Sequence, residues 1–184
     1  MYKVFVLFNE KYEQDRYEHM NSQLQKHNLL YETIGPTWKT DITEDIRKKY
    51  KSTIVDGQFS LVLNSLHCLN KIRQDYKECS NDFLFLILES DIILCDDFKK
   101  KLEDILNASK SLQNWDIINI GSGNIGNKWK KICNHDYSKQ EINGIKFRQT
   151  NINRCAEALI WNYTSICNFL DSFEKNPIVD KHID

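Results

Sequence analysis

Two acidic residues follow the longest apolar run of the chain and are the first candidates for chemistry. Residues 83–88 read FLFLIL, which is typical of a strand buried on both faces, and Glu89, Ser90 and Asp91 come directly after it. Two carboxylates separated by one residue offer the hard oxygen ligands that Mg²⁺ or Mn²⁺ prefers. Such a cation binds diphosphate oxygens and neutralises charge on a leaving group. The same pattern also fits solvated turn residues ahead of a helix.

Strands alternate with helices along the chain, which predicts an α/β fold with a mostly parallel central sheet. We expect a single domain over residues 1–184, because a chain of this length builds one substantial core. Residues 127–153 are polar and irregular, and we expect a loop or hairpin there. The predicted strands are 2–8, 29–34, 83–88, 115–120 and 158–161. Five helices are predicted. The first carries Tyr17, Met20 and Leu24 on its apolar face, and the second is a short helix within 41–51 that is capped by Thr43. The third runs from Gly57 to about residue 80, the fourth spans 99–109 with Asp96 as its N-cap, and the last is stopped by Pro177.

Sheets of this kind bind ligands at the carboxyl ends of their strands. That rule directs attention to the acidic turn after Leu88, to the glycine turn after Ile120, and to the segment near Asp180. The sequence therefore predicts a ligand site built from these loops.

Composition excludes several classes of partner. The formal net charge is −1, with basic and acidic residues interspersed, so no overall attraction to nucleic acid or anionic membrane is expected. No apolar run is long enough to span a bilayer, and the N-terminal segment reads as a strand and not as a signal peptide. The six cysteines form no C-x-x-C pair, which favours reduced thiols in a cytoplasmic or otherwise reducing compartment.

Several segments, in order and spacing, resemble the family 25 glycosyltransferases, which include lipopolysaccharide-modifying transferases and collagen galactosyltransferases. The resemblance covers nearly the whole chain. The segments that carry it are Asp15-Arg16 downstream of the first strand, GQFSLVLNSLHCLNKI from Gly57, LILESDIIL around Glu89, WDIINIG from Trp115, and Pro177-Ile178-Val179-Asp180.

The resemblance implies a GT-A-like, Rossmann-like domain that binds a nucleotide sugar. It implies metal-dependent transfer of a hexose, galactose or glucose, from a uridine diphosphate (UDP) sugar to a saccharide or to a hydroxylysine-type acceptor. By this resemblance Asp91 and Glu89 bind Mn²⁺ or Mg²⁺, and Glu89, Ser90, Asp91 and Gly121 bind the donor. Asp180 and Glu89 are the expected catalytic residues, and Glu157, His182 and Asp184 are further acids or bases that nothing in the sequence places at the site.

Two departures from the family pattern leave an alternative function open. The usual Glu-Asp-Asp motif carries Ser90 in the middle, and a Ser-His pair in the long helix is replaced by Asn64-Ser65. His67 lies two residues further on, so it points from a different side of the helix and does not replace the missing imidazole. A catalytically inactive relative that binds nucleotide sugar or carbohydrate is therefore the alternative.

A third function class is suggested by glycines. Gly121, Gly123 and Gly126 spell G-x-G-x-x-G after a predicted strand, with Glu141 about 20 residues further on, as in dinucleotide-binding oxidoreductases. That motif requires a helix opening at the glycines. The residues that follow, NIGNKWKKICNHDYS, have no sustained apolar face, which disfavours this function.

Overall fold

A computed structural model describes residues 1–80, 82–121, 139–148 and 157–179. Within these ranges the chain forms seven strands, five α-helices and one short 3-10 helix at Lys39–Asp41. The strands are β1 (Tyr2–Leu7), β2 (Tyr31–Ile34), β3 (Leu84–Glu89), β4 (Ile117–Asn119), β5 (Lys139–Ile142), β6 (Ile145–Arg148) and β7 (Ala158–Asn162). The helices are α1 (Gln14–Lys26), α2 (Glu44–Lys49), α3 (Asp56–Asp75), α4 (Phe98–Ser109) and α5 (Tyr163–Lys175).

The central sheet has five strands in the order β2-β1-β3-β7-β4. Strand β1 pairs in parallel with both β2 and β3, whereas β7 runs antiparallel to β3 and to β4. The fold is thus mixed α/β with a mostly parallel sheet, compatible with a Rossmann-like fold. Because β7 is reversed, it begins where β3 and β4 end. The apolar sequence of β7 gave no indication of its direction.

Helices cover both faces of the sheet, which explains why β1 and β3 are apolar at nearly every position. Alternate side chains of each strand belong to opposite faces. On one face they pack against α1 and α4, and the buried residues include Val4, Leu86, Met20, Leu24 and Leu102. On the other they pack against α3 and α5, and the buried residues include Phe5, Phe85, Leu69, Ile72 and Leu170.

The predicted helices and sheet strands are confirmed, with small differences at their ends. Helix α2 begins as expected, since the Thr43 side chain accepts a hydrogen bond from the Ile46 N–H at 3.3 Å. Helix α3 ends at Asp75, several residues before the predicted end. Strand β4 has only three residues, and Ile117 is 40% exposed because the strand lies at the edge of the sheet.

The predicted N-cap of α4 is wrong. The cap is Asp97, not Asp96, and its side chain makes no capping hydrogen bond. Both carboxylates are used in ion pairs instead, Asp96 with Lys26 at 2.7 Å and Asp97 with Lys101 at 2.8 Å. An opposite charge thus competes successfully with the helix terminus for these side chains.

The expected hairpin is confirmed over residues 139–148. Strands β5 and β6 pair antiparallel, and Asn143 and Gly144 join them with positive φ angles of 51° and 79°. An Asn-Gly turn with positive φ matches the twist of a two-residue hairpin. The rest of the 127–153 segment lies outside the described residues.

None of the helices in the described residues combines the length and the apolar character that crossing a membrane requires. No disulfide joins the four cysteines that lie within these ranges, Cys68, Cys79, Cys95 and Cys167.

Candidate functional site

The acidic turn lies at the carboxyl end of β3, in the centre of the sheet. Glu89 is the last strand residue and lies opposite Leu7 of β1. Its N–H donates to the Glu157 carbonyl oxygen at 3.0 Å, so the segment entering β7 lies directly beside it. Ser90 is only 3% exposed, whereas the Asp91 side chain is 56% exposed. The Glu89 carboxylate is thus half-buried, whereas the Asp91 carboxylate is open to solvent.

The environment of Glu89 changes its acidity. Burial, followed by the neighbouring negative charges of Asp91, Glu157 and Glu13, raises the pKa of Glu89 from 4.5 to about 7, while Arg16 acts in the opposite direction. Glu89 is therefore partly protonated at neutral pH. A carboxyl group in this state accepts or donates a proton near physiological pH, as a general acid or base must.

Ser90 holds a second carboxylate in place. Its hydroxyl donates to Glu13 Oε1 at 3.1 Å, and the Asn9 N–H donates to Glu13 Oε2 at 2.7 Å. The Glu13 side chain is only 13% exposed, so these hydrogen bonds stabilise its charge in a mostly buried position. The serine in the middle of the acidic motif is therefore a donor to a carboxylate supplied by another part of the chain.

Arg16, on the first turn of α1, is the cation of this site. Its Nη1 atom lies 3.0 Å from Glu13 Oε1 and 3.5 Å from both Ser90 Oγ and Asp91 Oδ2. The side chain is 46% exposed. Arg16 was expected only as part of a family resemblance, and Glu13 was not predicted at all.

A cleft of about 650 Å³ lies over the carboxyl ends of β1 and β2 and includes Asn9, whose N–H binds Glu13 of this site. It is lined by the loop after β1, by the end of β2 and by two side chains of α3, His67 and Lys71. Gly35 allows the two loops to approach, because a Cβ at this position would lie 2.3 Å from the Phe8 carbonyl oxygen. Asn9 links the same loops, since its Nδ2 donates to the Gly35 carbonyl oxygen at 2.6 Å.

Two stacked aromatic rings lie at the cleft. The rings of Tyr12 and Trp38 are 5.1 Å apart between centroids, with an angle of 12° between their planes. Lys11 lies over the Tyr12 ring and Lys39 over the Trp38 ring. This arrangement connects the loop after β1 with the segment after β2, and of the two rings it is Tyr12 that lines the cleft.

Asn64 links helix α3 to the segment after β2. Its Oδ1 accepts from the Thr37 N–H at 2.9 Å, and its Nδ2 donates to the Thr37 carbonyl oxygen at 3.0 Å. Asn64 is 7% exposed, and Ser65 donates to the Leu61 carbonyl oxygen within its own helix. Asn64 therefore fixes the segment after β2, Ser65 bonds within α3, and neither side chain is an imidazole.

Gly121 follows β4 at the same edge of the sheet. Its N–H lies 3.0 Å from Asn119 Oδ1 and 3.3 Å from the Ala158 carbonyl oxygen. A Cβ at this position would lie 2.8 Å from the Ala158 nitrogen, so glycine is needed for close packing against β7. Glu157 precedes Ala158 in the chain and lies beside Glu89, a contact that the sequence did not indicate. The other predicted residues, Gly123, Gly126, Asp180, His182 and Asp184, lie outside the described residues.

The donor set at β3 suits a divalent cation that is shared with a ligand. Among the described residues, no group of three or more His, Cys, Asp or Glu side chains is arranged to hold a metal ion. Mg²⁺ commonly uses only one or two carboxylates together with waters and substrate phosphates. Burial is the main cause of the raised pKa of Glu89, and the neighbouring negative charges that add to it also favour a cation here. Asp91 and Glu89 are the residues that would hold it.

Comparison of the sequence with protein-family models gives no match, and comparison with curated proteins gives none. What points to a function is the fold together with the site. These are a mixed α/β domain, compatible with a Rossmann-like fold, that carries an acidic site and an adjoining cleft at the carboxyl edge of its sheet.

Proposed function

We propose that this chain is a metal-dependent glycosyltransferase with a GT-A-like fold, related to family 25. It transfers a hexose, galactose or glucose, from a UDP-sugar to a hydroxyl group of a saccharide or hydroxylysine-type acceptor. One observation carries the proposal, namely that the cleft over β1 and β2 and the carboxylates after β3 lie at the same edge of the sheet and are linked through Asn9, Glu13 and Ser90. Adjacent strands are about 4.8 Å apart, so β2 and β3 end roughly 10 Å from each other. A nucleoside diphosphate is long enough to reach from one to the other.

The two carboxylates share the cation, and Glu89 has a further role. Asp91, which is exposed after β3, would hold the cation together with Glu89, and the cation would neutralise charge on the diphosphate. Glu89 is the candidate general base, because burial raises its pKa to about 7 in the cation-free chain. The acceptor hydroxyl gives its proton to the base, its oxygen forms a bond to the anomeric carbon, and the bond from that carbon to the diphosphate breaks. The nucleoside diphosphate then leaves with the bonding electrons. Asp180 is the other candidate for the base.

Calorimetric titration with UDP, in the presence and absence of Mn²⁺, tests the donor site. We expect the wild-type chain to bind UDP only with Mn²⁺, and Asp91→Asn to weaken this binding by about 30-fold or more, because it removes a charged ligand of nearly the same shape. Asp96→Asn is the matched control, since Asp96 is an exposed acid in the same loop that pairs with Lys26. Equal binding to wild type and Asp91→Asn would refute the assigned site, and binding of a nicotinamide dinucleotide in place of UDP would favour the oxidoreductase.

A second function is favoured by the structural role of Asn64. The Asn64 side chain forms two hydrogen bonds with the backbone of Thr37 and therefore has a structural role. Neither Asn64 nor Ser65 carries an imidazole, as expected for an inactive relative that only binds nucleotide sugar. Hydrolysis of UDP-galactose distinguishes the two functions. An active transferase hydrolyses the donor slowly, and in Glu89→Gln this rate falls by a larger factor than the UDP affinity, which is weakened by the loss of one cation ligand. An inactive relative binds UDP with Mn²⁺ and shows no hydrolysis above the buffer rate.

A further inference from the structure

We propose that Arg16 is an exchangeable counter-ion of Asp91. The guanidinium pairs with Asp91 in the absence of a divalent cation, and it binds the donor diphosphate once a cation has taken that carboxylate. The second step depends on the proposed function, whereas the first depends only on cation binding at Asp91.

The contact between Arg16 and Asp91 is of a kind that exchanges easily. It involves one nitrogen, Nη1, at 3.5 Å from Oδ2, and the two side chains are 46% and 56% exposed. Exposed ion pairs with a single contact contribute little to stability, because water screens the charges and two long side chains must be ordered. A divalent cation carries twice the charge of the guanidinium and competes for the same carboxylate oxygens. Repulsion between the two cations then moves Arg16 away from Asp91.

Glu13 keeps Arg16 at the site after this exchange. Arg16 Nη1 lies 3.0 Å from Glu13 Oε1, and Glu13 itself is held by Ser90 and by the Asn9 backbone. Since Glu13 is only 13% exposed, its carboxylate is a stable anchor and not a mobile surface group. The guanidinium therefore stays beside the end of β3 when Asp91 is occupied by a cation.

The guanidinium has donors to spare for a diphosphate. All side-chain contacts described for Arg16 involve Nη1. A guanidinium presents five N–H groups in a planar arrangement that matches two phosphate oxygens at once. A diphosphate between the cation and Arg16 would contact both positive charges. The exchange thus converts an ion pair within the protein into a contact with the ligand.

The test measures two affinities in each variant, that for Mn²⁺ alone and that for UDP at saturating Mn²⁺. In Arg16→Gln we expect the Mn²⁺ affinity to rise about two- to fivefold, because the competing charge is lost. We expect the UDP affinity of the same variant to fall about tenfold, because a charge-assisted hydrogen bond is lost. A purely structural role of Arg16 would not change the two affinities in opposite directions.

Two further variants complete the experiment. Lys26→Gln is the matched control, because Lys26 also lies on α1 and forms an exposed ion pair, and both of its affinities should equal those of wild type. Arg16→Lys keeps the charge, so its Mn²⁺ affinity should stay near wild type while its UDP affinity falls less than in Arg16→Gln. If Arg16→Gln fails to fold, judged by circular dichroism, Arg16→Lys decides, and wild-type UDP affinity in that variant overturns the proposal.

The outcomes separate this proposal from the proposed function. Unchanged or weaker Mn²⁺ binding in Arg16→Gln overturns the counter-ion role, and so does a wild-type chain that binds no Mn²⁺. Unchanged UDP affinity in Arg16→Gln overturns the diphosphate role. Tighter Mn²⁺ binding in Arg16→Gln, without UDP binding by any variant, supports the exchange at Asp91 and overturns both the diphosphate role and the proposed function.

Discussion

Two mostly buried polar contacts fix loops at the carboxyl edge of the sheet, and they differ in charge. In the first, Glu13 accepts hydrogen bonds from Ser90 and from the Asn9 backbone. In the second, the Asn64 amide forms two hydrogen bonds with the backbone of Thr37. In the neutral contact, the Asn64 amide oxygen and nitrogen and the Thr37 N–H and carbonyl oxygen all have a hydrogen-bond partner. The charged one leaves a negative site with a partly exposed cation beside it.

The difference shows how to separate a structural polar group from a candidate functional one in this fold. Burial does not distinguish them, since Ser90 and Asn64 are both less than 10% exposed. Net charge distinguishes the two contacts. The Glu13 contact lies among other carboxylates, whereas the Asn64 contact contains no group that gains or loses a proton. We therefore expect mutations at the first contact to have effects that depend on pH, and mutations at the second to have effects that do not.

The largest effect on stability is expected for Ser90→Asp, which introduces a third carboxylate between Glu89 and Asp91. The new carboxylate would be nearly fully buried next to Glu13, at a cost of about 3 kcal/mol in the free energy of unfolding near pH 7. Protonation relieves this repulsion, so the loss should shrink as the pH falls toward about 4. Urea unfolding at several pH values measures it, with Ser80→Asp, in an exposed loop, as control. A stable Ser90→Asp variant would contradict the role given to Ser90.

A smaller effect is expected for Asn64→Ala. Loss of both hydrogen bonds leaves the Thr37 N–H and carbonyl groups without their partner, which should reduce the free energy of unfolding by about 2 kcal/mol. The loss should be the same between pH 5 and pH 8. Ser65→Ala is the control, because Ser65 bonds only within its own helix, and we expect it to cost less than about 0.5 kcal/mol. A strong pH dependence for Asn64→Ala would remove the contrast between the two contacts.

The smallest effect is expected for Glu89→Gln, measured as a function of pH. The folded pKa of about 7 lies above the unfolded value of 4.5, so the folded chain binds more protons between these limits. The stability of wild type relative to Glu89→Gln should therefore fall as the pH rises from 4.5 to 7. The full shift corresponds to roughly 3 kcal/mol, and solvent screening reduces this to about 1–2 kcal/mol. Glu18→Gln, at an exposed position of α1, is the control, and the same slope in both variants would contradict the assignment.

Much of the fold could be predicted from local patterns. Strands β1 and β3 are apolar at nearly every position, and α3 repeats apolar residues every three or four positions, so each element is encoded within a short window. The location of Glu89 at a carboxyl edge follows from the same pattern, since the first polar residues after a buried strand must emerge there. The failed N-cap at Asp96 involves a partner, Lys26, that lies 70 residues away.

The rest of the site depends on contacts that leave no local pattern. Arg16 and Glu13 reach Ser90 across 74 and 77 residues of sequence. Glu157 lies beside Glu89 only because β7 runs antiparallel to β3, and strand direction is not encoded in an apolar run. The sequence therefore identified the acidic turn and missed most of the groups that set its charge.

The reversed direction of β7 has a consequence for how such a protein can diversify. The chain leaves the sheet after β4 and returns at β7 at the same edge, where the Ile120 and Gly121 N–H groups meet the Ala158 carbonyl oxygen. The excursion between Gly121 and Glu157 thus starts and ends next to the acidic turn. Its length and composition can change over generations without shifting the register of the five strands. The strands of the sheet thus keep their arrangement while the segment that connects β4 to β7 beside the site can vary in evolution.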